Sequence, residues 1–217
     1  MIESLLPRLV KTGRPGINLD WKDLAIGSKE VSDKCGNLWQ RFGANTASGV
    51  ILDSVKGNVF EAKGDVYFTT PVTELLYLSK KSFVIEFEVL PKTTASVNLG
   101  GTGDYNQGIS SGIGINLGQF YDRFFQAFLM GPGTQYDRLY APVQYSPEWT
   151  KVEITRTYGS GFWMNVYRGN STRPIAAHST AEIEIGNGSG VWNLFRGANT
   201  PSNYFVGLVN YFKLTYI

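Results

Sequence analysis

Two stretches pair carboxylates at a spacing that suits glycoside hydrolysis. Glu86-Phe87-Glu88 and Glu182-Ile183-Glu184 each hold two acids two residues apart. Alternate residues of a strand share a face, and a retaining hydrolase needs two carboxyls about 5–5.5 Å apart. The competing reading of each pair is a solvated strand face. The other nucleophile chemistries are thinly supplied. His178 is the single histidine and Cys35 the single cysteine. Sequence distance alone permits a Cys35/His178 or Ser/His pair, but a lone histidine is more often a loop or edge residue. The chain holds no GxSxG, no P-loop and no HExxH. The expectation is a non-enzyme with no catalytic residue.

Binding chemistry is better supplied. Three segments set an aromatic ring beside a planar polar group: Asp104-Tyr105-Asn106-Gln107, Tyr136-Asp137-Arg138 and Trp192-Asn193. Sugars present apolar CH faces that pack on rings, and hydroxyls that suit amide, carboxylate and guanidinium partners. These nine residues are the predicted glycan-binding set. The alternative for any one ring is the core or a subunit contact, because thirty aromatic side chains (5 Trp, 12 Tyr and 13 Phe) must mostly be buried. Asp104 and Asn106 also place two oxygen ligands two apart in a Gly-flanked loop. Calcium takes six to eight oxygens, with carbonyls and water completing the set. Such loops are also ordinary turn formers. No cofactor is required, and Ca²⁺ is the one ion these residues suggest.

Positioning such loops falls to strands. Phe83, Ile85, Phe87 and Val89 alternate with Val84, Glu86 and Glu88, the period of a half-buried strand. Ile113, Ile115 and Leu117 alternate in the same way, as do Val152 and Ile154 after Trp149, and Phe162, Met164 and Val166. Ile183 and Ile185 alternate with Glu182 and Glu184 and read as one more strand. Phe124 to Leu129 is apolar on both faces and predicts a central strand, and Tyr204 to Tyr216 predicts a closing one. Glycine-rich turns separate them, as at Gly100-Gly101-Thr102-Gly103 and Gly159-Ser160-Gly161. No window of twelve or more residues keeps a helical period.

Composition agrees. The 217 residues carry 25 Gly, and only 18% are charged, with a net charge of +2. A typical chain has about 25% charged residues. Disorder needs more charge and fewer aromatics, and a duplex-binding surface needs more basic excess. No internal repeat, linker or low-complexity tract breaks 17–217, which predicts one domain there. Residues 1–16, with Leu5, Leu6, Leu9 and Val10 around Pro7 and then Gly13, Pro15 and Gly16, read as a short arm that could hold a neighbouring subunit.

In this order the segments resemble the concanavalin A-like (laminin G-like) lectin/glucanase superfamily. Asp33-Lys34-Cys35-Gly36-Asn37 is similar to its D-S-S-G-N turn, with Trp39 and Gly43 following. Phe60 to Phe68 resembles its F-x-G-x-x-Y-L segment, Ser82 to Val89 its F-T-I-E-x-W-V strand and Trp149 to Arg156 its W-x-x-V-x-I-x-R strand. Phe162 to Gly169 and Phe205 to Val209 match its later strands. The resemblance spans roughly 30–217. It implies an all-β jelly-roll sandwich of two antiparallel sheets with a short N-terminal arm. Laminarinase-like members carry E-x-D-x-x-E on one strand. Neither Glu pair here has the central Asp or the third acid, and the Glu182 pair comes late in the chain. Legume-type lectins hold Ca²⁺ on Asp/Asn loops, which is what the resemblance implies for Asp104 and Asn106.

The expected function is a non-catalytic, lectin-like virion protein of bacteriophage type, a tail, fibre or decoration component that binds host-surface glycan. Its expected partners are other virion proteins, copies of itself and the glycan, with no nucleic acid and no membrane. No secretory leader and no membrane-spanning run are read, so the expected setting is a virion assembled in the host cytoplasm. The rival expectations are a purely structural virion protein and a bacterial polysaccharide-binding or hydrolysing module.

Overall fold

The structure is a computed structural model. It describes residues 14–72, 76–102, 112–120, 123–131, 136–186, 191–196 and 203–217. Among them the strands are β1 (Arg14–Asp20), β2 (Gln40–Phe42), β3 (Gly49–Asp53), β4 (Gly57–Lys63), β5 (Tyr67–Thr69), β6 (Phe83–Pro91), β7 (Val97–Gly101), β8 (Gly112–Phe120), β9 (Arg123–Met130), β10 (Tyr136–Tyr140), β11 (Thr150–Thr157), β12 (Gly161–Arg168), β13 (Ala176–Thr180), β14 (Asn193–Leu194) and β15 (Val206–Tyr216). They form two antiparallel sheets. The eight-stranded sheet runs β13-β12-β11-β6-β15-β4-β3, with β1 also paired to β15. The seven-stranded sheet runs β10-β9-β8-β7-β14-β5-β2. The chain is therefore an all-β jelly-roll sandwich of two antiparallel sheets, as the periodicity and the resemblance predict. No helix among the described residues is long and apolar enough to cross a membrane, which leaves β-barrels unaddressed.

The core lies between the sheets. Phe83, Ile85, Phe87 and Val89 of β6 face Ile113, Ile115 and Leu117 of β8, all buried in one cluster with Trp21, Phe60, Trp192 and Phe212. Period-2 alternation thus sends every second residue inward. The segment read as a central strand, Phe124 to Leu129, is paired on both sides, to β8 and β10.

The D-x-x-G-N turn is a clamp on β1. Asp33 Oδ1 accepts from the amides of Asn18 (3.0 Å) and Cys35 (2.8 Å). Its Oδ2 accepts from Asn37 Nδ2 (2.7 Å) and the Trp39 indole (3.0 Å), and Asn37 also donates to the carbonyl of Gly16 (2.7 Å). Gly36 takes φ +81°, a left-handed conformation that glycine adopts without strain.

Three boundaries differ from the sequence reading. β1 begins at Arg14, so the end of the stretch read as an arm is strand: Arg14 and Pro15 pair with Tyr216 and Thr215 of β15, with a register shift at Gly16; residues 1–13 lie outside the described residues. Glu182 to Ile185 is not a strand. Ile185 instead enters the core, and Glu182 turns to the guanidinium of Arg156, whose Nε donates to Oε1 at 3.0 Å. Arg156 is itself fully buried, and its Nη1 also donates to the carbonyl of Leu78 at 3.0 Å. A buried guanidinium needs such partners, and this requirement outweighs the strand pattern. The closing strand begins at Val206 rather than Tyr204, which instead makes an isolated parallel bridge to Asn98.

Candidate functional site

The seven-stranded sheet turns an unusual set of residues away from the core. In β8 the inward residues are Ile113, Ile115 and Leu117, so Gly114, Asn116 and Gly118 face outward. In β9 Ala127 and Leu129 point inward, which leaves Gln126 and Phe128 outward, and in β10 Leu139 points inward and Arg138 outward. Register then assembles cross-strand rows. Asn116 pairs with Gln126, which pairs with Tyr140. Gly114 pairs with Phe128, which pairs with Arg138.

These rows enclose a half-open cleft of about 160 Å³, lined by Ser96, Asn116, Leu117, Gly118, Gln126, Phe128 and Arg138. One wall residue, Gly118, marks a close approach of two strands. A Cβ on Gly118 would stand 2.5 Å from the Cα of Ser96, so the strand approaches its neighbour as only glycine allows. The walls are chemically mixed. Asn116 and Gln126 each offer an amide donor and an acceptor. The Arg138 guanidinium lies 5.1 Å from the centroid of the Phe128 ring, a cation–π arrangement that orients both.

Behind the cleft, β10 is fixed against the edge of the other sheet. The Thr180 hydroxyl donates to the Asp137 carboxylate. Asp137 Oδ1 accepts from the amide of Arg138 at 2.7 Å. The Tyr140 ring stacks on His178 with centroids 4.2 Å apart and planes at 24°. Asp137 and His178 are thus structural groups of the seam that positions Arg138.

The nine predicted residues fall in different places. Arg138 lines the cleft, and Asp137 anchors its strand from behind. Tyr136 opens the same strand, its backbone paired with Met130 of β9. Asp104, Tyr105, Asn106 and Gln107, and with them the calcium pair Asp104 and Asn106, lie outside the described residues. Trp192 and Asn193 are corrections. Trp192 has no exposed surface, and its indole N–H donates to the carbonyl of Leu76 at 3.2 Å. A ring sealed in the core cannot stack on a ligand. Asn193 shares the outward row of Gly101 and Gly114 but is only 4% exposed. Asn116, Gln126 and Phe128 were missed. Their signal lies in G-I-G-I-N-L-G, where every outward residue is Gly or Asn, and in the single Gln126 that interrupts an apolar run.

Catalytic chemistry finds no support in the carboxylates first singled out. Glu86 pairs with Lys151 at 3.2 Å, Glu88 with Lys56 at 2.7 Å, and Glu182 with Arg156. Burial, then the charge and hydrogen bond of Asp33, push the Cys35 thiol up to about 11, away from the thiolate a nucleophile needs. Among the described residues no group of three His, Cys, Asp or Glu side chains is placed to hold a metal ion.

No protein-family model and no curated protein sequence matches the chain. Solved structures do. The binding domain of Paraclostridial Mosquitocidal Protein 1 aligns with TM-score 0.65 at 12% identity, covering 93% of this chain and 48% of that one. The binding domain of botulinum neurotoxin serotype G aligns with TM-score 0.63 at 14% identity, covering 93% and 47%. Domain 4 of a GH43 extracellular arabinanase from Geobacillus stearothermophilus, solved with arabinotriose, aligns with TM-score 0.63 at 14% identity, covering 94% and 93%. The chain spans about half the length of the two toxin domains and nearly all of the arabinanase domain. At these identities the likeness is one of fold.

Proposed function

We propose that this protein is a non-catalytic carbohydrate-binding domain that takes a glycan in the Asn116–Gln126–Phe128–Arg138 cleft. The observation that carries this reading is the pair of cross-strand rows, which sets two carboxamides beside an arginine-capped aromatic ring over glycine. A sugar hydroxyl both donates and accepts, as a carboxamide does, and its CH face packs on a ring. The arabinanase domain, of the same fold and nearly the same length, is a structure solved with a trisaccharide. The toxin relatives bear the name of binding domains.

The finer reading sets the domain on a virion of bacteriophage type, among other virion proteins and further copies of itself. A half-open cleft gives weak single-site affinity. Several copies on one particle make later contacts intramolecular and raise avidity by roughly 10²–10⁴. Calcium at Asp104 and Asn106 belongs to this finer reading, and removal by chelator should then lower glycan affinity.

The test is a glycan array with purified wild type, Gln126→Ala and Arg138→Ala. Each variant is expected to lose about tenfold in affinity, the size of one lost hydrogen bond to a ligand, with thermal unfolding little changed. No hit by wild type on any polysaccharide would defeat the glycan reading. New reducing ends in the bound polysaccharide would defeat the non-catalytic one.

A further inference from the structure

We propose that the outward face of β12, on the sheet opposite the cleft, is a second and independent ligand platform that takes a neutral, linear polysaccharide lying along the strand. Phe162, Met164 and Val166 of this strand are buried in the core, so Trp163, Asn165 and Tyr167 all face outward. Trp163 is 37% exposed, the most open of the five tryptophans; Trp21 and Trp192 are fully buried, Trp149 nearly so and Trp39 partly.

What stands beside Trp163 explains the opening. Its direct cross-strand neighbours are Thr155 on β11 and Ser179 on β13. Both are small hydroxyl residues that cannot cover an indole. Asn165 is flanked on the β13 side by Ala177, so the approach from that edge is low as well. An exposed ring normally gains by pairing with a long or aromatic cross-strand neighbour, and here the positions hold none. Tyr167 lies four residue steps along the strand from Trp163, about 13 Å at the strand rise. Two rings with an amide between them in one straight line match the repeating alternation of CH faces and hydroxyls along an unbranched glycan.

Charge selects a neutral ligand. Lys151, which lies over the Tyr167 ring at 5.4 Å, is paired with Glu86 at 3.2 Å. The cation next to the platform is thus compensated within the sheet, and the carboxylate-bearing Glu153 stands directly across from Asn165 on β11, so a polyanion gains nothing there.

Affinity electrophoresis of the full chain through gels containing hydroxyethyl cellulose, debranched arabinan or glucomannan tests this, with carboxymethyl cellulose as the charged counterpart. At least one neutral polymer is expected to retard the protein. Trp163→Ala should weaken that retardation at least tenfold, by the same factor in the wild-type and the Gln126→Ala backgrounds, and Trp163→Phe should partly restore it. Tryptophan emission should move to the blue on binding, since Trp163 is the ring that loses water; the cleft has no tryptophan in its lining. Retardation lost in Gln126→Ala but kept in Trp163→Ala would support the cleft and overturn the platform. The platform is equally overturned by stronger retardation in carboxymethyl cellulose, or by no retardation in any neutral polymer. A change of molecular mass in Trp163→Ala by light scattering would overturn it too, since the ring would then serve a contact between copies.

Discussion

The two sheets of this sandwich share a core but finish their outward faces in opposite ways. The eight-stranded sheet is stitched with charge. Glu86 meets Lys151, Glu88 meets Lys56, and Glu61 meets both Lys92 (2.7 Å) and Lys63 (3.2 Å). Lys213 covers the Tyr211 ring at 4.7 Å. Burial, followed by the charges of Glu88, Glu86 and Glu153, drives the Tyr211 phenol well above its ordinary value, so this ring stays neutral. The seven-stranded sheet carries glycines and amides instead, with Asn116, Gln126 and Phe128 side by side in its cleft. One face uses its polar groups on itself. The other leaves a groove whose hydrogen-bonding groups can be turned to a ligand. The ion pairs therefore belong to stability and the glycines to shape, and substitutions should separate the two.

The largest effect is expected at Gly101. A Cβ there would collide with the carbonyl oxygen of Ile113, and its φ of +139° disfavours other residues. Gly101→Ala combines backbone strain with overpacking, roughly 3–4 kcal/mol. It should also displace β8 and with it the cleft. A urea midpoint close to wild type would show that the glycine row is not a close approach at all.

Glu88→Ala probes the stitched face. The carboxylate is nearly buried, and it holds Lys56 at 2.7 Å and the Asn210 amide. Its loss leaves a half-buried ammonium and a buried amide without their acceptor, about 2–3 kcal/mol. Glycan affinity at the cleft should not change, because the cleft lies on the other sheet. If Glu88→Ala abolished binding while leaving the protein folded, the division between the faces would fail.

Most of the fold was legible because strand period and turn glycines are local. Phe83 to Val89 announces its own face, residue by residue. The cleft was legible only through Arg138, since Asn116, Gln126 and Phe128 become neighbours through the register of β8, β9 and β10. No spacing along the chain encodes that. Trp192 misled for the converse reason. It stands beside a polar Asn193 and between glycine-rich segments, yet it leads directly into the two-residue β14 in the middle of the sheet, where it is buried. The Glu182 to Ile185 pattern misled because a buried Arg156, distant in sequence, claims the carboxylate.

The smallest effect sharpens the comparison by pH. Burial works against a charged Glu61, but the hydrogen bonds and charges of Lys92 and Lys63 outweigh it and hold this carboxyl below its ordinary value. A lowered folded value means the stabilisation is complete above the unfolded value near 4.5 and disappears as pH falls through the folded one. Lys92 is 44% exposed, so solvent screens the pair and its contribution is only about 0.5 kcal/mol. Lys92→Ala should therefore unfold slightly earlier in urea than wild type at pH 7, and the two curves should converge at the acid end of that window. A gap of equal size at both pH values would assign the lysine to packing along the strand rather than to charge. The seven-stranded face offers no counterpart among the described residues of the cleft: its amides do not titrate, so the shape of the groove should hold across the same pH range while the stitched face loosens.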